Sequence, residues 1–196
     1  MQRPRDPFRH ALEDIRERAM QGHYAPGRAV VIVEEARRLN LSPTPVREAL
    51  AWLCGEGLME RAARAGYLAP RLDVGLLRDR LWVRGRCLTT ALALTRDLPA
   101  RAVAAQDDRQ TVSRLFHRLV GATGNRALVE VFGRVDAQLR PLADAEARVF
   151  GDGPAETQAL LRLGAGPVSA LEAGIDAYHH RRMESAALIV LEVEGA

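Results

Sequence analysis

The sequence predicts a mainly α-helical chain in two parts. A small N-terminal three-helix unit carries a β-hairpin, and a longer all-helical bundle follows it. Three observations carry this. Apolar residues recur at helical spacing almost throughout the 196 residues. Strand-like alternation is confined to a short stretch after Gly57. Pro- and Gly-containing breaks recur between the helical runs.

The first helix is expected over 6–22, with Asp6 as N-cap and Pro7 at the first helical position. Phe8, Ala11, Leu12, Ile15 and Ala19 form its apolar face, and Gly22 ends it. Pro26-Gly27 marks a turn before a short apolar stretch. A second helix is expected over 32–39, with Asn40 as its stop. Ser42 then reads as an N-cap for a third helix. Pro43 takes its first position, where the missing N–H costs nothing and φ is already set. Pro45 still lies in the first turn, where its N–H has no partner to lose. Val46, Ala49, Leu50 and Leu53 form the buried face, and Gly55 or Gly57 closes the helix. The prolines therefore fix where this helix starts. Its first-turn side chains Ser42, Thr44 and Arg47 can be aimed outward.

After Gly57, "LMERAARAGYLAP" reads as two short strands around a basic turn, Ala62–Gly66. Three helices and this wing make a winged helix-turn-helix over residues 1–71. "RLDVG" connects it to a second domain, 72–196. Helices are expected there at 74–94, 97–106, 107–122, 126–149, 155–163 and 167–185. The tail "AALIVLEVEGA" is compatible with a last helix or a strand.

Charge supports a polyanion partner for the first part. Through Leu72 there are 12 arginines and 9 acids; the remainder balances at 16 of each, from totals of 28 and 25. Cys54 and Cys87 lie in apolar helical patterns outside any CxxC or Cys/His cluster, as buried free thiols would. No run approaches the ~20 apolar residues of a membrane span, and the N-terminus lacks the apolar core of a signal peptide. The expectation is a cytoplasmic protein without membrane association. No Ser/His/Asp arrangement or phosphate loop appears, and Glu130, His117 and Asp144 share no face. An enzyme is not expected.

"LNLSPTPVREAL", the following Glu56–Leu58 and Gly66–Tyr67 resemble the DNA-binding motif of GntR-type bacterial transcription regulators. "YAPGRAV" resembles that family's turn between its first helix and first strand. The resemblance covers about residues 8–70. It implies a double-stranded DNA operator as partner, with Ser42, Thr44, Arg47, Arg61, Arg64 and Gly66 as DNA-binding residues. Arg47 would reach phosphate or guanine, and the hydroxyls phosphate oxygens. The wing arginines would lie beside the neighbouring groove, with Ala65 and Gly66 where the family reaches the minor groove. Two departures stand out. The Arg that usually follows the cap serine is Pro43, and the usual Gly is Asn40.

Residues 75–180 resemble the family's FCD effector domain through "SRLFHRLVGATGNRALVEVFGRV" and "LWVRGRCLTTALAL". The fold class is thus a winged helix-turn-helix plus an all-helical FCD-like bundle. Many members of that branch hold a divalent metal with one Asp and three His, which anchors a carboxylate ligand. Here the expected Asp is Ser113, His117 is kept, the next His falls at Thr157, and the last falls near Tyr178, with His179 and His180 beyond. Ser113, His117 and His179 are the remaining weak metal candidates, so no metal cofactor is expected. His117 reads equally as a pocket histidine bonded to Ser113 one turn away. Without metal, a small-molecule carboxylate effector needs arginine. Arg84, His117, Arg140 and Tyr178 are the effector-binding candidates, with Arg118 beside them. The expected function is a homodimeric repressor responding to a small organic acid. The alternative is an FCD-like dimerisation protein with impaired or altered DNA binding.

Overall fold

The computed structural model describes residues 6–64, 66–96 and 111–195. They form two compact units: residues up to Leu72 together with Ala137–Leu142, and Asp73–Asp136 together with 143 onward. The expected boundary after residue 71 therefore misses one short return of the chain into the first unit.

In the first unit, α1 (Pro7–Met20) starts as the sequence indicates. The Asp6 carboxylate accepts from the Arg9 backbone N–H at 2.9 Å. Helix α2 (Ile32–Leu39) stops at Asn40, which adopts the left-handed conformation with φ 54°. Helix α3 (Pro43–Gly55) packs on α1, bringing Val46, Ala49, Leu50 and Leu53 against Ala11, Leu12 and Ile15. Ser42 has the extended backbone of an N-cap, but its side chain makes no capping bond. That corrects the capping role read from the sequence. The hydroxyl stays on the exposed end of the helix.

The sheet has three strands, not the two of a bare hairpin. β1 (Ala29–Val30), β2 (Glu60–Arg61) and β3 (Tyr67–Leu68) are antiparallel in the order β1-β3-β2. Ala29 pairs Leu68, and Arg61 pairs Tyr67. The wing closes through Ala62 N–H to the Gly66 carbonyl at 3.1 Å. Gly66 has φ 98°, which excludes a side chain on backbone grounds although space around it is open. The returning segment packs in the same unit, where the Gln138 amide donates to the Glu56 carbonyl at 2.7 Å.

The second unit comprises α4 (Val74–Leu94), α5 (Val112–Gly121), α6 (Arg126–Leu139, through Asp136), α7 (Ala143–Val149), α8 (Gly153–Leu163), α9 (Val168–Glu184) and α10 (Ala186–Glu194). The single helix expected over 126–149 is broken. Pro141 cannot donate in a helix interior, and a 3-10 turn, Arg140–Leu142, stands there. The tail resolves as helix, with Ala186, Ile189 and Val190 buried. The helix expected at 97–106, and the first residues of that at 107–122, lie outside the described residues. Helices α4 and α9 pack along each other. Leu88, Ala91, Phe116, Leu119, Phe132 and Ile175 fill the core between them and α5 and α6. Among the described residues, no helix is long and apolar enough to cross a membrane.

Candidate nucleic-acid interface and effector site

In the first unit some arginines are paired with acids, while Arg28, Arg37 and Arg71 are exposed outside any ion pair among the described residues. Arg16 is paired with Glu56 (Nε to Oε2, 2.9 Å), Arg9 with Glu13 (2.8 Å), and Arg38 with both Glu35 and Asp14. These charges are already compensated inside the unit. Arg47, Arg61 and Arg64 are exposed, and no hydrogen bond or ion pair engages them among the described residues. Ser42, Pro43 and Thr44 are exposed on the same end of α3 as Arg47, because the opposite face is spent on the core. The prolines also thin out the helix N-terminus. Of the first-turn positions, Pro43 and Pro45 carry no N–H, so Thr44 supplies the free backbone donor beyond the cap. Gly66 is exposed at the wing tip. Ala65 lies outside the described residues.

A family profile described as "Bacterial regulatory proteins, gntR family" matches residues 8–68. Residues 8–68 thus form a domain of the kind found in GntR-type bacterial regulators. These are DNA-binding transcription regulators rather than enzymes, so the domain implies DNA as the partner of the first unit. The "Nta operon transcriptional regulator" of Aminobacter aminovorans is 29% identical to this chain, covering 62% of it and 66% of that protein. The chain thus spans just under two thirds of that relative's length. Among solved structures, E. coli McbR/YncC has a TM-score of 0.69 at 18% identity, covering 93% of this chain and 97% of its own. A putative GntR regulator from Rhodococcus sp. RHA1 has a TM-score of 0.72 at 15% identity, over 92% and 97%. At these identities the two structures establish a shared fold: a winged helix-turn-helix and an all-helical second unit.

The second unit holds a cluster of charged side chains in its core. Arg84 on α4 is buried, as are Asp136 on α6 and His179 on α9. The Arg84 Nε–H donates to His179 Nε2 at 3.1 Å, and its NH1 lies 3.4 Å from Asp136 Oδ1. Asp136 Oδ2 lies 3.1 Å from His117 Nε2 on α5. His179 Nδ1 is 2.8 Å from the Ile175 carbonyl, so Nδ1 carries the proton and Nε2 is the acceptor. Burial, reinforced by the Arg84 guanidinium, pushes the His179 imidazole down to about 3 and keeps it neutral. The His117 side chain is 47% exposed whereas that of Asp136 is 7% exposed. The cluster therefore opens to solvent at His117 and ends inside at Arg84 and His179. The Arg84 NH2 group is buried without a hydrogen-bond partner.

Four elements thus bring Arg84, His117 and His179 together, and they add Asp136, which the sequence reading did not single out. His117 meets Asp136 rather than leaning on Ser113. Tyr178 is next to the cluster, with its ring edge-on to Phe116 at 5.7 Å and under the Arg182 guanidinium. Burial raises its phenol above the usual range. Arg140 is not brought in: it is exposed in the 3-10 turn that belongs to the first unit. Ser113 and Thr157 are half-buried on α5 and α8.

The donor set does not fit a divalent metal. Two of the four family positions carry Ser113 and Thr157, and the His179 lone pair already accepts from Arg84. Among the described residues no group of three or more His, Cys, Asp and Glu side chains could hold an ion.

Proposed function

We propose that this chain is a cytoplasmic, homodimeric GntR-family repressor that releases its operator on binding a small carboxylate. The observation that carries the reading is the split among the arginines of the first unit. Arg9, Arg16 and Arg38 are paired with acids, whereas Arg47 stays exposed on the helix whose N-terminus carries the Ser42 and Thr44 hydroxyls, and Arg61 and Arg64 stay exposed in the wing. A helix that presents its N-terminal side chains this way suits the major groove, and a basic wing suits the flanking backbone. Two half-sites call for two copies of the chain.

The effector reading rests on the buried Arg84 NH2 group, a guanidinium donor with no partner in a cluster open at His117. A carboxylate oxygen can accept from it. Asp136 belongs to that cluster, and residues 137–142 of the reader unit follow it directly along α6. An effector that displaces Asp136 acts on the segment that Gln138 ties to Glu56. The result would be a change in how the two readers address their half-sites.

The test uses the full chain and a labelled duplex from upstream of its own coding region. Binding that a carboxylate reverses, with reversal lost in Arg84→Gln, supports the reading. A chain that binds no upstream duplex would instead favour a dimerisation protein in which Pro43 has cost DNA binding.

A further inference from the structure

We propose that residues 137–142 are a working part of the DNA reader and that Gln138 is its positioning residue: Gln138 fixes the C-terminal end of α3, so operator affinity depends on a side chain that touches no DNA. The inference rests on the operator reading above for the identity of the partner; the clamp itself is argued from contacts within the first unit.

A helix ends in carbonyls that have no partner inside it. At the end of α3 the Leu58 N–H closes on the Leu53 carbonyl at 3.0 Å, and the Gly57 N–H on the Cys54 carbonyl at 3.1 Å. The Glu56 carbonyl is met from far along the chain, by the Gln138 amide at 2.7 Å. Gly57 makes that approach possible. A Cβ there would stand 2.5 Å from the Gln138 amide nitrogen, and its backbone has φ 72°. The Glu56 carboxylate is held as well. Arg16 of α1 grips it through Nε at 2.9 Å and Nη2 at 2.5 Å, and the Trp52 indole N–H donates to it at 2.9 Å. A carboxylate faces the negative end of the helix dipole there, and the Arg16 charge offsets that.

The same returning segment reaches the end of α1. The Pro141 carbonyl oxygen lies 3.5 Å from where a Cβ at Gly22 would stand, just beyond that helix. Leu139 and Leu142 are buried, and Ala137 packs against the apolar core shared by α1 and α3. The segment thus meets the C-terminal ends of the two helices whose packing carries the reader. Residues 8–68, the stretch that matches the family profile, do not include it.

Arg47 precedes Glu56 by nine residues, about 14 Å along the helix axis. Gln138 therefore holds α3 at the end opposite the one that faces the duplex. A helix moves as a rigid rod, so a tilt at Glu56 shifts Ser42, Thr44 and Arg47 together. Loosening the clamp lets α3 populate orientations that do not fit the groove, and apparent affinity falls with the competent fraction. The net worth of one hydrogen bond sets the scale at about three- to tenfold.

The experiment compares the full chain as wild type and as Gln138→Met, which keeps length and neutrality but has no N–H to donate. Affinity for a labelled duplex from upstream of the coding region is read by fluorescence anisotropy across a salt series, at a temperature where circular dichroism shows both proteins folded. Gln138→Met should bind about three- to tenfold more weakly with an unchanged logarithmic salt slope, because no phosphate contact is lost. Equal affinity would overturn the proposal, since a bond with a merely structural role changes stability and leaves the folded chain's affinity alone. A slope shallower by about 0.9 would overturn it too, because Gln138 would then act through a phosphate contact. Hydrogen exchange gives a second measure. The Gly57 and Leu58 amides should exchange at least about threefold faster in Gln138→Met, and equal rates would contradict the clamp. If Gln138→Met does not fold, Gln138→Ala removes the same donor and is measured in the same way. If wild type binds no duplex, the operator reading of the previous section fails, while exchange still decides whether Gln138 clamps α3.

Discussion

Mild acid should destabilise the helical unit through one side chain, His179. The imidazole is buried, donates Nδ1–H to Ile175 and accepts from Arg84, so only its neutral form fits. Its folded pKa is about 3, against an ordinary 6.5. A depressed folded pKa means that the unfolded chain takes up the proton first. The stabilisation is fully present above pH 6.5 and is lost as pH falls from there toward 3. Between those limits the slope is one proton, about 1.4 kcal/mol per pH unit. From pH 6.5 to 5, before most carboxylates titrate, the loss is roughly 2 kcal/mol. The assay is urea unfolding at pH 7, 6 and 5, followed by fluorescence in a Trp52→Phe background so that Trp82 reports on the helical unit. His179→Gln offers one donor and one acceptor but does not titrate, so its stability should fall by about 2 kcal/mol less over the same window. Parallel pH profiles for the two proteins would refute the assignment of His179 as a buried neutral base.

Three other perturbations have definite outcomes. Arg182 is buried and bridges Glu146 (2.8 Å) and Glu156 (2.9 Å); Arg182→Met strands two largely buried acids and should cost roughly 3–5 kcal/mol in urea unfolding. Pro43→Arg restores the arginine that the family motif carries there; it should steepen the salt dependence of DNA affinity by about 0.9 in logarithmic slope, and an unchanged slope would place position 43 away from the duplex. Gly57 has φ 72°, and a Cβ there would come within 2.5 Å of the Gln138 amide nitrogen; Gly57→Ala should lower the stability of the first unit by about 1–2 kcal/mol in the same melts.

The reader was legible in the sequence because its signals are local. Pro43 and Pro45 can start a helix but cannot lie inside one, and the apolar spacing from Val46 to Leu53 leaves one face for the core and one for the outside. Asn40 and Gly66 were readable as backbone positions, and both have positive φ. Strand β1 was not legible as a strand from the residues themselves: two residues of "AVV" carry no alternation, and their pairing with β3 is made by tertiary contact. The broken helix at 126–149 was signalled by Pro141 and overlooked, since the apolar spacing continues on both sides. The tail is nearly uniformly apolar, so periodicity could not decide it. Asp136 was the main omission in the charged cluster of the second unit. In "GRVDAQL" it reads as an ordinary polar helix residue, and only the approach of α4 and α5 reveals it between Arg84 and His117. Arg140 lies in the first unit, apart from that cluster: charge type is visible in a sequence, but the unit to which a residue packs is not.

The central claim is that the exposed end of α3 meets the duplex through Arg47. Its most direct test is the affinity of wild type and Arg47→Ala for the same upstream duplex, measured by fluorescence anisotropy across a salt series. Arg47→Ala should bind more weakly, with a logarithmic salt slope shallower by about 0.9 for one lost phosphate contact. Equal affinity and equal slope for the two proteins would contradict it.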